Sequence, residues 1–245
     1  DVYDVERHRT YTEWQEAIRL YEKLLTTLKE GDMRHQAVRE LIQLYANTGE
    51  WEKAFAVSQT APSLSGCREL LRLNACDGRK RAEAYGETLL DMVHTCSGLM
   101  VSAVMGNKGH IHPDAAVQTL ENAIALYGLV CTDGNCGLYH APIACLHLYL
   151  SEHLWLAGNR DGAFEALDRA LEHAKKYESI AGQKDAAYTA PLLRLVKIGL
   201  NDQKDEFVAE LPALWPWWFV PDCSKVKTEI QADPRWAEWV KKTEG

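Results

Sequence analysis

Residues 47–62, "NTGEWEKAFAVSQTAP", join the end of one amphipathic helix to the start of another. Gly49 suits the left-handed residue that closes a helix and lets the chain fold back. Trp51 follows this turn. Ala54 and Ala61 stand seven residues apart, so they share one face of the second helix, where small side chains let two helices approach closely. The stretch therefore predicts a hairpin of two antiparallel helices.

The same spacing, a small residue followed by residues four and seven positions later, recurs along the chain. The four sets are Ala17/Tyr21/Leu24, Ala54/Ser58/Ala61, Ala116/Leu120/Ala123 and Ala163/Leu167/Ala170. Gly158 would close a second hairpin as Gly49 closes the first. Recurring hairpins predict an all-α chain without strands, stacked as a right-handed superhelix.

We expect one domain of residues 1–245, with the best repeats at about 11–61 and 138–177. Residues 202–245 would form a terminal cap, because the last unit of such an array must cover an apolar face. Four tryptophans could do this: Trp217, Trp218, Trp236 and Trp239.

Composition limits the classes of function. Apolar residues make up 47% and charged residues 25%, as in a globular protein, and the net charge of −8 opposes binding to phosphate backbones. Seven scattered cysteines suggest reduced thiols in a cytoplasm. The most apolar stretch, residues 89–105, contains Asp91 and His94, and we expect it to be a buried core helix.

The first hairpin resembles a tetratricopeptide repeat. The residues that carry this resemblance are Leu41, Tyr45, Gly49, Trp51, Ala54 and Ala61. A second set matches equally well: Leu150, Ser151, Gly158, Ala163, Leu167 and Ala170. The spacing between sets is uneven, so the array is degenerate.

The order of motifs is similar to the C-terminal region of bacterial, mainly Firmicutes, transcriptional regulators of the xenobiotic-response-element helix-turn-helix type. The similar segments are "WQEAIRLYEKLL", "APSLSGCRELL", "ALDRALEHAKKYESI" with "YTAPLL", and "DPRWAEW". The resemblance implies a regulatory or oligomerising module cut from such a regulator. Only ten residues precede Tyr11, too few for the DNA-binding domain, so we expect no nucleic-acid binding by this chain.

In tetratricopeptide repeats, the first helix of each hairpin lines a concave groove. By analogy, we expect the exposed side of that helix to bind a protein or peptide through Arg39, Gln43 and Asn47 in one hairpin. In the other hairpin, Leu148, Glu152 and Trp155 would take this place, with Trp155 as an apolar anchor. The alternative is that all of them are ordinary surface residues.

Chemistry-bearing motifs are few. Cys131, Cys136 and His140 are zinc-type ligands, but their spacing is wide, and a polar turn with incidental thiols is the favoured interpretation. His110 and His112 lack a third ligand and indicate a surface loop. We therefore expect no metal or cofactor. No phosphate-binding loop or catalytic motif appears, which favours a protein that is not an enzyme.

The leading hypothesis is thus a cytoplasmic regulatory module that binds a peptide or protein, or forms a homodimer, with no membrane contact. A free-standing tetratricopeptide adaptor or co-chaperone is the alternative. An enzyme on a helical scaffold is a third hypothesis, which a buried cluster of titratable residues would favour.

Overall fold

The computed structural model describes residues 4–29, 31–61, 70, 73, 78–106, 111–183, 186–199, 206–215 and 223–244. Helices make up most of this part of the chain. It contains no strand, and a single isolated bridge pairs Ala187 with Lys197. The expected all-α class is confirmed. Where one domain was expected, the chain divides into two compact units, Asp1–Leu71 and Arg72–Gly245.

Four named helices lie in the described part of the first unit. They are α1 (Val5–His8), α2 (Thr12–Thr27), α3 (Asp32–Asn47) and α4 (Trp51–Ser58). Helix α3 packs against both α2 and α4, and its apolar stripe supplies two of the four side chains of a small core. The core side chains are Ile18, Leu41, Tyr45 and Ala54.

The second unit contains seven α-helices among the described residues. They are α5 (Gly78–Gly106), α6 (Pro113–Val130), α7 (His140–Leu156), α8 (Arg160–Ile180), α9 (Phe207–Leu214), α10 (Cys223–Ala232) and α11 (Pro234–Thr243). A 3₁₀ turn, Gly137–Tyr139, leads into α7. Helices α5 to α8 pack consecutively, and α9, α10 and α11 cover α7 and α8.

Two helix pairs are closed by the same motif. After α3, the Gly49 amide donates to the Ala46 carbonyl (3.1 Å) and the Glu50 amide to the Tyr45 carbonyl (2.7 Å). After α7, the amides of Gly158 and Asn159 repeat this pattern at 3.0 and 2.9 Å. Both glycines have the positive φ that this Schellman cap requires. The two turns predicted from glycine are therefore confirmed.

The small-residue stripes are buried in the second unit only. The residues of the α6 and α8 stripes, Ala116/Leu120/Ala123 and Ala163/Leu167/Ala170, are completely buried. In the first unit, Leu24 of the predicted stripe is exposed. The core residue of α2 is Ile18, which does not belong to that stripe. Ala61 lies beyond the end of α4 and is exposed. The prediction that these two stripes are buried was therefore wrong in part.

Two of the four tryptophans expected at the C-terminal end lie in α11. Trp236 and Trp239 are buried, and the Trp239 indole donates to the Leu167 carbonyl at 3.0 Å. Trp215, after α9, is buried beside them and donates to the Ser151 hydroxyl at 2.9 Å. Trp217 and Trp218 lie outside the described residues.

Candidate functional site

The polar residues predicted on α3 lie on one face of that helix. Arg39 and Gln43 are exposed, and Asn47 is half-buried. The Gln43 amide donates to the Asn47 side-chain oxygen at 2.9 Å, while Arg39 lies 3.4 Å from the Glu40 carboxylate. This face offers donors and acceptors to a partner. Its binding role stays a prediction.

The corresponding face of α7 is not exposed, so that part of the prediction was wrong. Leu148, Glu152 and Trp155 are all buried. Helix α7 lies between α6 and α8 and also contacts α10, so it has no free side to line a groove. The Trp155 indole donates to Glu229 at 3.1 Å. The sequence does not show that distant helices cover α7.

A cluster of titratable side chains surrounds the loop between α6 and α7. Cys131 ends α6, Cys136 precedes the 3₁₀ turn, and both side chains are buried. Gly134, with φ of 77°, makes the turn between them, and its amide donates to the Cys131 carbonyl at 2.9 Å. The neighbouring Cys136 thiol and burial raise the pKa of Cys131, whereas the Cys131 thiol lowers the pKa of Cys136. Both are free thiols.

The loop is fixed to residues 186–199. The Asn135 side-chain amide donates to the Ala187 carbonyl (3.0 Å) and to the Thr189 hydroxyl (3.1 Å). Thr189 in turn donates to Asp133. Gly137 lies against the Tyr188 ring, where a Cβ would come within 2.7 Å of ring atoms. The thiol pair therefore sits in a loop held from two sides.

Histidines extend the cluster between α7 and α8. His140 lies with its Nδ1 atom 2.9 Å from Nδ1 of His173, and its Nε2 accepts the Cys136 amide at 3.4 Å. The rings of His147 and His173 are 5.5 Å apart. Burial lowers the pKa of all three, His140, His147 and His173, to about 4. They are neutral at physiological pH.

Polar aromatic residues lie on the other side of the same loop. The Tyr127 hydroxyl is 2.8 Å from Nδ1 of His94, and the Tyr139 hydroxyl donates to Asp91 at 3.3 Å. The rings of Tyr127 and Tyr139 are 5.9 Å apart. Burial raises the pKa of both tyrosines to about 12. Both phenols are therefore uncharged at physiological pH.

Only part of this cluster is visible in the sequence, where Cys131, Cys136 and His140 lie close together. His94 and His147 are distant from them along the chain. The helical packing of α5, α6 and α8 onto the loop brings the other groups in. Among the described residues, no group of three or more ligating side chains is arranged to hold a metal ion. His110 lies outside those residues, and His112 is exposed beside Asp114.

The expectation of a buried core helix at residues 89–105 was wrong. This part of α5 buries one seam, Leu90, Ser97 and Val104, at seven-residue intervals. The opposite side, with Met92, Thr95, Leu99 and Ser102, is exposed. The stretch Gly78–Met105 is long and apolar enough to cross a bilayer by length and composition alone, with 22% of its most apolar part buried.

No family model, curated protein or solved structure matches this chain. Its geometry and its sequence are therefore the basis for the proposals below.

Proposed function

We propose that the chain is a regulatory interaction and oligomerisation module, with tetratricopeptide-like hairpins stacked as a right-handed superhelix. Its effector would be a DNA-binding domain outside this chain, as in bacterial transcriptional regulators of the xenobiotic-response-element type. The two Schellman-closed hairpins and the buried alanine stripes of α6 and α8 support the repeat architecture.

The exposed face of α5 is the observation that carries this proposal. Met92, Thr95, Leu99 and Ser102 follow one another at intervals of three and four residues, so they form a continuous seam along the helix. No residue of this seam is charged, and Leu99 is 64% exposed. Large uncharged surfaces on a folded protein commonly mark interaction sites.

The seam fits a second copy of the same chain. Two copies of α5 packed antiparallel about a two-fold axis near residue 97 would place Met92 opposite Ser102 of the other copy. Thr95 would likewise face Leu99. Large residues then meet small ones at each level, which allows close packing. A single helix face is thus complementary to itself.

The attachment of α5 to its own unit favours a protein partner over a lipid bilayer. Leu90 and Val104 belong to the main hydrophobic core, at either end of the apolar stretch. Ser97, between them, is also buried. Insertion into a bilayer would break these contacts, whereas association of two copies leaves them intact.

Sedimentation of the chain over a range of concentrations tests this proposal. We expect a reversible dimer for the native chain, because the seam leaves water on association. Leu99→Glu should weaken it at least tenfold, since the change places a charge in the centre of the contact. Leu129→Glu is the matched control, because Leu129 is equally apolar, 70% exposed and located on α6.

Three results would contradict the dimer. One is a monomeric native chain at every concentration, and another is equal weakening by Leu99→Glu and Leu129→Glu. The third is co-sedimentation of the chain with lipid vesicles that Leu99→Glu abolishes. That last result would assign the seam to a membrane surface.

The polar face of α3 is the surface that we propose for a peptide partner. Asn and Gln can pair with a peptide backbone, and Arg39 with a carboxylate. For a peptide selected against the native chain from a displayed library, Asn47→Ala should weaken binding about fivefold, as expected for one neutral hydrogen bond. Gln59→Ala, at an exposed residue after α4 and off the α3 face, is the control. Equal affinities for both variants would place the peptide elsewhere.

A further inference from the structure

We infer that Arg169, His173 and Lys176 of α8 bind a phosphate group, either free phosphate or the phosphate of a small monoester. These three residues are called the basic row below. The row lies on α8, so the site is separate from the surfaces proposed on α3 and α5. A small phosphorylated effector would therefore bind at a place of its own.

The spacing of the basic row places its three side chains on one face of α8. His173 follows Arg169 by four residues and Lys176 follows His173 by three, so each neighbour lies about one helical turn away. Arg169 and Lys176 are exposed, and His173 is half-buried between them. The two long side chains can therefore converge on one oxyanion in front of the imidazole.

Two histidines of α7 pack behind the row. His140 and His147 are seven residues apart, so they lie on the same side of α7. Nδ1 of His140 lies 2.9 Å from Nδ1 of His173, and the rings of His147 and His173 are 5.5 Å apart. These contacts fix the position of His173. Its Nε2 makes no hydrogen bond within the described part of the chain, which leaves that nitrogen for a ligand.

The charges around the row favour an anion, although the whole chain carries a net charge of −8. Arg169 pairs with Glu172 at 2.9 Å, but both groups are exposed, so solvent screens this pair. Lys176 forms no ion pair within the described residues. Burial lowers the pKa of His140 and His173, and the charge of Lys176 lowers both further. A bound anion would offset this repulsion.

A phosphate group matches the donors of the row. Arginine can bind two phosphate oxygens with its planar guanidinium, and lysine supplies a compact charge. An imidazole N–H can occupy a third oxygen. A carboxylate offers two oxygens in one plane, which fits three donors from successive helical turns less well. The row therefore favours a tetrahedral anion.

Titration of the folded chain with inorganic phosphate tests the inference. Histidine ring signals are followed by nuclear magnetic resonance at constant ionic strength, and His173→Gln assigns the signals of that ring. We expect them to shift to saturation, because His173 would contact the anion directly. Glycerol phosphate, titrated in the same way, distinguishes the source of the group. Tighter binding of the ester would indicate a phosphorylated small molecule, and tighter binding of phosphate the free ion.

Two adjacent lysines provide the matched comparison. Lys176→Gln should weaken phosphate binding about tenfold, the usual effect of losing a hydrogen bond from a charged group. Lys175→Gln is the control, because Lys175 is also exposed on α8 but lies on the other side of the helix from His173. Each substitution removes one positive charge at an exposed position, so both variants should remain folded.

Glu172→Gln tests the part played by Arg169. The change frees the guanidinium from its carboxylate and removes a negative charge beside the row. We expect this variant to bind phosphate roughly two- to fivefold more tightly, as the strength of an exposed ion pair allows.

Three results would overturn the inference. One is the absence of saturable shifts of the His173 signals with either compound. Another is equal weakening by Lys175→Gln and Lys176→Gln, which would indicate a general effect of charge. The third is weaker phosphate binding by Glu172→Gln. None of these results bears on the dimer proposed for α5, which sedimentation measures.

Discussion

The indole nitrogen of Trp155 donates a 3.1 Å hydrogen bond to the Glu229 carboxylate, which joins α7 to α10 across 74 residues of sequence. The ring also packs edge-on against Phe164, and the Arg160 guanidinium lies 4.9 Å from its centre. Trp155 is therefore a structural residue of the second unit.

Trp155→Ala should lower the free energy of unfolding by about 3–5 kcal/mol, the usual effect of removing a buried aromatic ring. Trp51→Ala is the matched control, because Trp51 is 62% exposed and its loss should change stability by less than about 0.5 kcal/mol. Urea unfolding measures both. Similar stabilities for the two variants would contradict the burial of Trp155.

The buried alanine stripes predict that the loss of stability caused by an Ala→Leu substitution depends on its position. Ala116→Leu and Ala163→Leu should each destabilise the chain by roughly 1–3 kcal/mol, because both alanines are fully buried and a larger side chain has no space. Ala115→Leu, one residue from Ala116 but exposed, should have little effect. Thermal unfolding of the three variants provides the comparison. Equal melting temperatures would show that the stripes are loosely packed.

Two glycines in the segment between α6 and α7 allow the cost of backbone strain to be measured apart from the cost of steric overlap. Gly134 and Gly137 both have positive φ, 77° and 54°. An added Cβ meets nothing within 4 Å at Gly134, but lies 2.7 Å from the Tyr188 ring at Gly137. Gly134→Ala should therefore reduce stability by about 1–2 kcal/mol from strain alone, and Gly137→Ala by roughly 1–3 kcal/mol more. Equal effects in denaturant titrations would mean that Tyr188 moves aside freely.

Buried histidines predict how stability depends on pH. Burial lowers the pKa of His140, His147, His153 and His173 to about 4, below the value of about 6.5 in an unfolded chain. Protons therefore bind the unfolded chain first. The stability is fully present above about pH 6.5 and is lost between about pH 6.5 and 4, by up to about 1.4 kcal/mol per pH unit for each histidine.

Urea unfolding across this pH range should show a steep loss of stability. His153→Leu should reduce the slope by about one proton, because it removes one buried site of protonation. Stability that stays constant from about pH 7 to about pH 5 would refute the lowered pKa values.

The sequence predicted local features well because they depend on neighbouring residues. Gly49 and Gly158 are recognisable as helix caps, and the Ala163 stripe follows helical periodicity. The burial of Trp155 was not predictable from the sequence, because it depends on α10, which is distant along the chain. The exposure of Leu99 was not predictable either. An apolar helix is expected inside a core, and periodicity does not reveal how many neighbours the helix finds. The cysteine pair was visible, but not His173, which α8 contributes.

The contact between His140 and His173 also fixes where each ring carries its proton. A neutral imidazole donates from one nitrogen and accepts at the other. Because Nε2 of His140 accepts the Cys136 amide, its proton resides on Nδ1, from which it donates to Nδ1 of His173. His173 must then carry its proton on Nε2. One backbone amide thus selects the tautomer of two rings in succession, and a movement of Cys136 would release both to exchange.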